Sequence, residues 1–205
     1  MNETEDKTRT PRQDRGIKTK EAILQASMKL FAEKGYYQTN TKQIAAAAGV
    51  STGSFYSYYL DKRAVFIDIL HIYNQALLAR IDAALADVDF QTGDTRQLMA
   101  HLVDALLQSH EPFVGIHKEL SILYLSDDEI KQLMDEQYEI GRRQTLAYLR
   151  MGGDELKTDD PEAAAVIVYE AVGAVIDSIA FSKQRIAPDR LKRQLVEMLA
   201  KYLTT

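Results

Sequence analysis

The sequence predicts an all-α protein of about nine helices, and three observations carry that expectation. The 205-residue chain has only 4 prolines and 10 glycines, and none of the prolines falls between Pro11 and Pro112, which favours long helices over a turn-rich β fold. Apolar residues recur at three- and four-residue steps along most of the chain, and no segment shows strand alternation bounded by hairpin signals. With 46% hydrophobic and 27% charged residues there is enough apolar surface for a core and too much for disorder.

Residues 1–16 read as a polar, flexible basic arm, with Lys7, Arg9, Arg12 and Arg15 spread among acids. The first helix is expected from Thr19 to Lys34, where Ile23, Ser27, Leu30, Phe31 and Lys34 share a face, and Gly35 stops it. A short second helix starts behind Asn40, whose side chain can form a capping box with Gln43, and ends at Gly49. A third follows the N-cap Ser51 and carries Phe55, Tyr56, Tyr58 and Tyr59. Val65, Ile69, Ile72, Leu77 and Ile81 then predict one long helix from Lys62 to about Leu85.

Asp94 and Gln97 cap a helix over Thr95 to Ser109, and Pro112 opens another that reaches about Leu125. Ser126 with Glu129 forms a further capping box, and the helix behind it runs to Arg150 before Gly152-Gly153. Asp160-Pro161 begins a nearly all-apolar helix to Phe181 or Ser182, and Pro188 opens the last, ending near Tyr202.

The composition excludes several function classes. Without cysteine there is no disulfide scaffold, thiolate zinc site, iron–sulfur centre or cysteine nucleophile, which fits a reducing cytoplasm. The longest uninterrupted apolar run, Ala163 to Tyr169, has seven residues, against the ~18 that span a membrane, so no membrane partner is expected. The charged start MNETEDKTRT does not read as a signal peptide. No Gly-rich phosphate loop, nucleophile elbow or paired metal motif points to an enzyme. The net charge of −5 is unevenly spread: residues 1–63 hold 11 Lys+Arg against 7 Asp+Glu, and the rest of the chain is strongly acidic. A basic head on an acidic body suggests that the head meets a polyanion, although a solvated surface can split this way by chance.

The segment 40–59 supplies the motif. Two short helices joined by Ala48-Gly49-Val50-Ser51 have the form of a helix-turn-helix. Thr52, Gly53 and Ser54 put hydroxyls and bare backbone at the start of the second helix, where unpaired N–H groups favour phosphate. Such a helix can enter a major groove, with hydroxyls reaching base edges while tyrosine and lysine hold the backbone. Phe55 and Tyr59, on neighbouring turns of one face, read as core, and Tyr56 can pack its ring while its hydroxyl reaches phosphate.

The run Ile23 to Tyr36, followed by Ile44 to Tyr59 and Lys62, resembles the DNA-binding head of TetR-type (tetracycline-repressor-like) regulators through three helices, over about residues 17–77. The resemblance implies that Thr52, Gly53, Ser54 and Tyr58 face the groove or its walls, that Asn40, Tyr56 and Lys62 hold phosphates, and that Lys42 belongs to the same DNA-binding set. Two positions depart from the pattern: Thr52 stands where a basic residue is common, and Asn40 where Ser or Thr is. Arg9, Arg12 and Arg15 either reach the adjacent minor groove or belong to a solubilising tail.

Residues 78–205 match the family only in architecture, as a ligand-binding and dimerisation bundle. The resemblance implies a homodimer joined by the last two helices, with Val166, Gly173, Ile176, Leu195 and Leu199 as interface candidates. The helix from Ala163 to Ile179 is apolar on too many sides for a surface helix, and full burial within one chain is the competing reading. His71, Glu119, Tyr124, Tyr138, Tyr169 and Asp177 are candidates for the ligand site, and Gln137 shares their character. Asp68 and His71 lie one turn apart but have no matching pair, so neither a metal nor a cofactor is expected. The sequence thus points to a cytoplasmic, ligand-responsive DNA-binding regulator, a repressor released from an inverted-repeat operator by a small-molecule inducer. The alternatives are a helical ligand-binding protein that no longer binds DNA, or a helical enzyme with an unrecognised site.

Overall fold

The computed structural model describes residues 11–86, 94–151, 158–183 and 185–204. Among them there is no strand, and nine α-helices follow one another. They are α1 (Pro11–Lys34), α2 (Thr41–Ala47), α3 (Thr52–Tyr56), α4 (Lys62–Leu85), α5 (Thr95–His110), α6 (His117–Ser126), α7 (Asp128–Met151), α8 (Pro161–Phe181) and α9 (Pro188–Thr204). The chain divides into two compact units, a head up to His71 and a body from Ile72 onward, so the division falls inside α4 and six residues before the expected one.

In the head, α1 starts at Pro11, within the stretch expected to be an arm. Proline suits a first helical turn because its missing N–H would have no partner there. The Thr19 hydroxyl donates to the Arg15 carbonyl (2.8 Å) across the added turn. The start escaped the periodicity argument because Arg15, Lys18 and Lys20 are exposed and leave no apolar rhythm. Residues 1–10, with Lys7 and Arg9, lie outside the described residues.

Gly35 (φ 88°) and Gly49 (φ 68°) end α1 and the α2 turn in the left-handed region, where a β-carbon is costly. The Asn40–Gln43 capping box forms in both directions at 3.0 Å, and Ser51 Oγ accepts from the Ser54 N–H (3.0 Å). Phe31, Tyr36 and Phe66 meet at ring centroid distances of 5.3–5.8 Å and close the head core over Ile23, Ile44 and Ile69.

In the body, α8 packs on α7, and α9 packs on α5 and α8. Ala164 and Ala165 are small enough to let α8 approach, and Val103, Leu149, Val168, Leu195, Leu199 and Leu203 fill the core around them. Arg96 pairs with Glu197 (3.2 Å), and Lys192 with Asp104, tying α5 to α9. Two boundaries differ from expectation. A 3-10 segment, Glu111–Ile116, precedes α6 where one helix from Pro112 was expected. The cap of α7 is Asp127, whose carboxylate accepts from the Ile130 N–H (3.1 Å), because the Ser126 hydroxyl is spent on the Ile122 carbonyl (2.8 Å).

Three interface candidates turn out to be core of their own chain. Ile176 of α8 and Leu195 and Leu199 of α9 are at most 3% exposed, and the apolar stripe that carries the last two faces α5 and α8 rather than outward. Val166 stays exposed, as do Ile167, Met198 and Tyr202, and a β-carbon built on Gly173 would meet nothing within 4 Å. Helix α8 is therefore apolar on both a buried and an exposed side, which full burial within one chain does not explain. By length and composition alone, α4 and α8 are long and apolar enough to cross a membrane, which an interrupted run of apolar residues did not reveal.

Candidate nucleic-acid interface and effector site

The turn between α2 and α3 sorts their side chains. Ile44, Ala45 and Phe55 are buried, whereas Asn40, Lys42, Gly53 and Tyr56 are exposed and Thr52 and Ser54 are partly exposed. A β-carbon on Gly53 would find only Ser51 Oγ, at 3.9 Å, so the backbone there is open. Polar or backbone-open positions of both helices are thus left accessible to solvent. Tyr56 is half exposed, and its hydroxyl shares a hydrogen bond with Thr41 Oγ1 (3.0 Å), which joins the end of α3 to the start of α2. Tyr58, expected to face the groove or its walls, is exposed, and its hydroxyl lies beside α1, 3.6 Å from where a Gly16 β-carbon would stand.

Lys62 also has a different task from the one expected. Its ammonium donates to the carbonyls of Tyr36 (2.6 Å) and Thr39 (2.9 Å) and sits over the Tyr36 ring at 4.3 Å. Burial holds its pKa below the usual lysine value. The side chain pins the α1–α2 turn to α4, which leaves it a poor phosphate ligand. Partners 23 and 26 residues away leave no signature in the sequence.

A second tie went unnoticed in the sequence. Asp68 accepts from the Tyr59 hydroxyl (2.7 Å) and pairs with Lys20 (2.7 Å), binding the segment behind α3 to both α1 and α4. Asp68 is therefore occupied and does not stand ready with His71 to hold a metal. Burial pushes the Asp68 carboxyl up, but the hydrogen bonds from Lys20 and Tyr59 outweigh it and hold the pKa below the usual range. A lowered folded-state pKa contributes stability above the unfolded value that is lost as pH falls through the folded one. Asp68→Asn should therefore destabilise the head at neutral pH by about 1–2 kcal/mol. In thermal melts followed across pH, the difference from wild type should shrink once the medium is acid enough to protonate Asp68. A pH-independent difference would refute this assignment.

In the body, helices from distant parts of the sequence bring aromatic rings around one carboxylate. Tyr73 of α4 meets the His110 ring edge-on (5.8 Å), His110 meets Phe181 (5.8 Å), and His117 stacks on Phe181 at 3.5 Å. Asp177 of α8 stands 3.9 Å from His110 Nε2. Tyr138 and Tyr169 belong to the same electrostatic group, and burial pushes each phenol up to about 12. The Tyr169 ring approaches Gly141 of α7 so closely that a β-carbon there would come within 2.3 Å of it.

Of the expected ligand residues, Tyr138, Tyr169 and Asp177 come together here. Tyr73, His110, His117 and Phe181 join them without having been candidates in the sequence, because nothing local marks residues on separate helices as neighbours. The other three candidates sit differently. His71 is exposed on α4 and interacts with Asp68. The Tyr124 hydroxyl is committed to Asp135 (2.8 Å), although its ring lies 6.4 Å from Tyr138. Glu119 is buried on α6.

Comparison with known proteins agrees with this architecture. Residues 23–69 match the family described as bacterial regulatory proteins, tetR family, and residues 94–203 match the tetracyclin repressor-like C-terminal domain, more than half of the chain. The HTH-type transcriptional regulator YuxN of Bacillus subtilis is 31% identical over 108 residues, an alignment covering 52% of this chain and 37% of that protein. A TetR-family structure from Mesorhizobium loti superposes with a TM-score of 0.73 at 20% identity, covering 93% of this chain and 99% of the other. A transcriptional regulator from Saccharomonospora viridis, solved in complex with choline, gives 0.75 at 16% identity, covering 92% and 99%. These last two likenesses concern the fold. The accessible polar positions of the helix-turn-helix head, the helical body and the matches across both parts lead to one assignment: the chain belongs to the tetR family of bacterial regulatory proteins.

Proposed function

We propose that the chain is a ligand-responsive transcriptional regulator, acting in the cytoplasm as a homodimeric repressor on an inverted-repeat operator. The observation that carries this reading is the α2–α3 unit, in which Phe55 and Ile44 are buried while Asn40, Lys42 and Gly53 are exposed and Thr52 and Ser54 partly so. Thr52 and Ser54 are positioned to read base edges, and Lys42, Asn40 and Tyr56 to hold the backbone. Selection from a randomised DNA pool should enrich an inverted repeat with half-sites spaced by about one helical turn, ~34–36 Å. Thr52→Ala or Ser54→Ala should shift preference at particular base pairs by about 1–3 kcal/mol. A pool without enrichment would overturn the reading in favour of a ligand-binding protein that has lost its DNA.

The exposed apolar residues Val166 and Ile167 of α8 and Met198 and Tyr202 of α9, together with the open Gly173, support pairing of two bodies through these helices. Gly173→Arg should yield a folded monomer in sedimentation experiments and lose operator binding, since one head makes too few contacts. Wild-type protein sedimenting as a monomer at micromolar concentration would refute the paired arrangement.

The effector is proposed to bind the aromatic group around Asp177, and the choline-bound neighbour supports a small organic ligand. Helix α4 is the proposed link: Val65, Phe66 and Ile69 pack in the head, and Tyr73 further along the same helix joins the aromatic group. By linkage, effector and operator must weaken each other by the same factor.

A further inference from the structure

The effector reading leaves the ligand's chemistry open, and the surroundings of Asp177 narrow it. The Asp177 side chain is half exposed, and burial still holds its pKa above the ordinary carboxylate value. Among the described residues, no lysine or arginine lies within ion-pair distance of it and no hydrogen bond reaches it.

Its nearest cation-forming neighbours are two imidazoles. His110 Nδ1 lies 2.7 Å from the Leu106 carbonyl, which can only accept, so Nδ1 carries a proton, and Nε2 is the ring nitrogen that faces Asp177, at 3.9 Å. His117 is stacked on Phe181, and burial lowers its pKa. Among the described residues the carboxylate therefore faces no lysine or arginine, and it stands among ring systems from α4, α5, α6 and α8.

The rest of the group sets the ligand class. Arg142, over the Tyr169 ring at 5.9 Å, is paired with Glu170 and Glu139 and does not reach Asp177. An anion would be repelled. A hard metal ion would need about six oxygen ligands and finds one carboxylate among carbon-rich rings. A positively charged group with an apolar skin satisfies both features, because it pairs with the carboxylate and is drawn to ring faces.

We propose that Asp177, with Tyr73, His110, His117, Phe181 and Tyr169, forms a binding site for a small organic cation, either a quaternary ammonium or a protonated amine. The site rests on the effector reading and supplies the ligand class that reading lacks. Gly141 is a positioning residue, since its missing side chain is what lets the Tyr169 ring lie against α7.

Calorimetric titration of the full-length protein with choline and with tetramethylammonium tests this, with 3,3-dimethyl-1-butanol as the uncharged isostere of choline. Both cations should bind, and the isostere about tenfold more weakly or worse. Asp177→Asn should abolish the difference between choline and the isostere, Asp177→Glu should retain part of it, and Gly141→Ala should weaken both cations. Circular dichroism verifies that each variant is folded. Cation affinity should fall on acidification, as Asp177, which His110 and His117 also face, takes up a proton; the other titratable groups around it, Tyr73, Tyr138 and Tyr169, stay neutral.

Equal binding of the isostere, unchanged choline affinity in folded Asp177→Asn, or no cation binding at millimolar concentration would overturn the proposal. The DNA complex separates this from the broader reading. Asp177-dependent binding of choline that leaves operator affinity unchanged would keep the cation site and sink its role as effector. Operator release by an uncharged ligand, with none by cations, would do the reverse.

Discussion

Phe55→Ala is expected to destabilise the head by about 3–5 kcal/mol and to eliminate sequence-specific DNA binding. Phe55 is fully buried, and its ring meets Tyr56 (5.4 Å) and Tyr59 (6.0 Å). It anchors a helix of only five residues, too short to persist in water without that packing. Removing the ring frees α3 from the unit that aims Thr52 and Ser54. Because the body has its own core around Val103, Val168 and Leu199, thermal unfolding of the variant should resolve into an early head transition and a later body transition. A single transition at the wild-type temperature, with DNA affinity intact, would show that α3 is held by something other than Phe55.

Lys62→Met should be the second large effect, and its form discriminates between two roles. A phosphate ligand would, on removal, make the salt dependence of DNA binding shallower by about one unit. A lysine spent on the Tyr36 and Thr39 carbonyls should leave that slope unchanged. It should instead lower the stability of the head by about 2–3 kcal/mol, since two part-buried carbonyls lose a charged donor. Methionine keeps the apolar stem, so the loss reports the ammonium. A shallower salt slope with unaltered thermal stability would restore the phosphate role.

What the sequence disclosed follows from the range of the interactions involved. The Asn40–Gln43 box, the Ser51 cap, Asp160 before Pro161, and the left-handed glycines 35 and 49 all meet backbone demands within a few residues. They could be read directly and they bounded the helices well. The failures of local reading have equally local causes. The early part of α1 lacks apolar rhythm, with Arg15, Ile17 and Lys18 exposed, and Ser126 lost the α7 cap to a neighbour with an equally good carboxylate.

By itself, then, the sequence determined the all-α class, the position of the helix-turn-helix and the family. Each depends on the order of short-range signals along one chain. Only the tertiary structure decided which apolar stripes of α8 and α9 face their own core and which stay open, since a helix apolar on two sides carries no mark of which side packs first. It likewise committed Lys62 and Asp68 to the scaffold and gathered Tyr73, His110, His117 and Phe181 around the Asp177 carboxylate. Those residues lie up to 108 positions apart, and what joins them is the packing of whole helices, to which no single stretch of sequence responds.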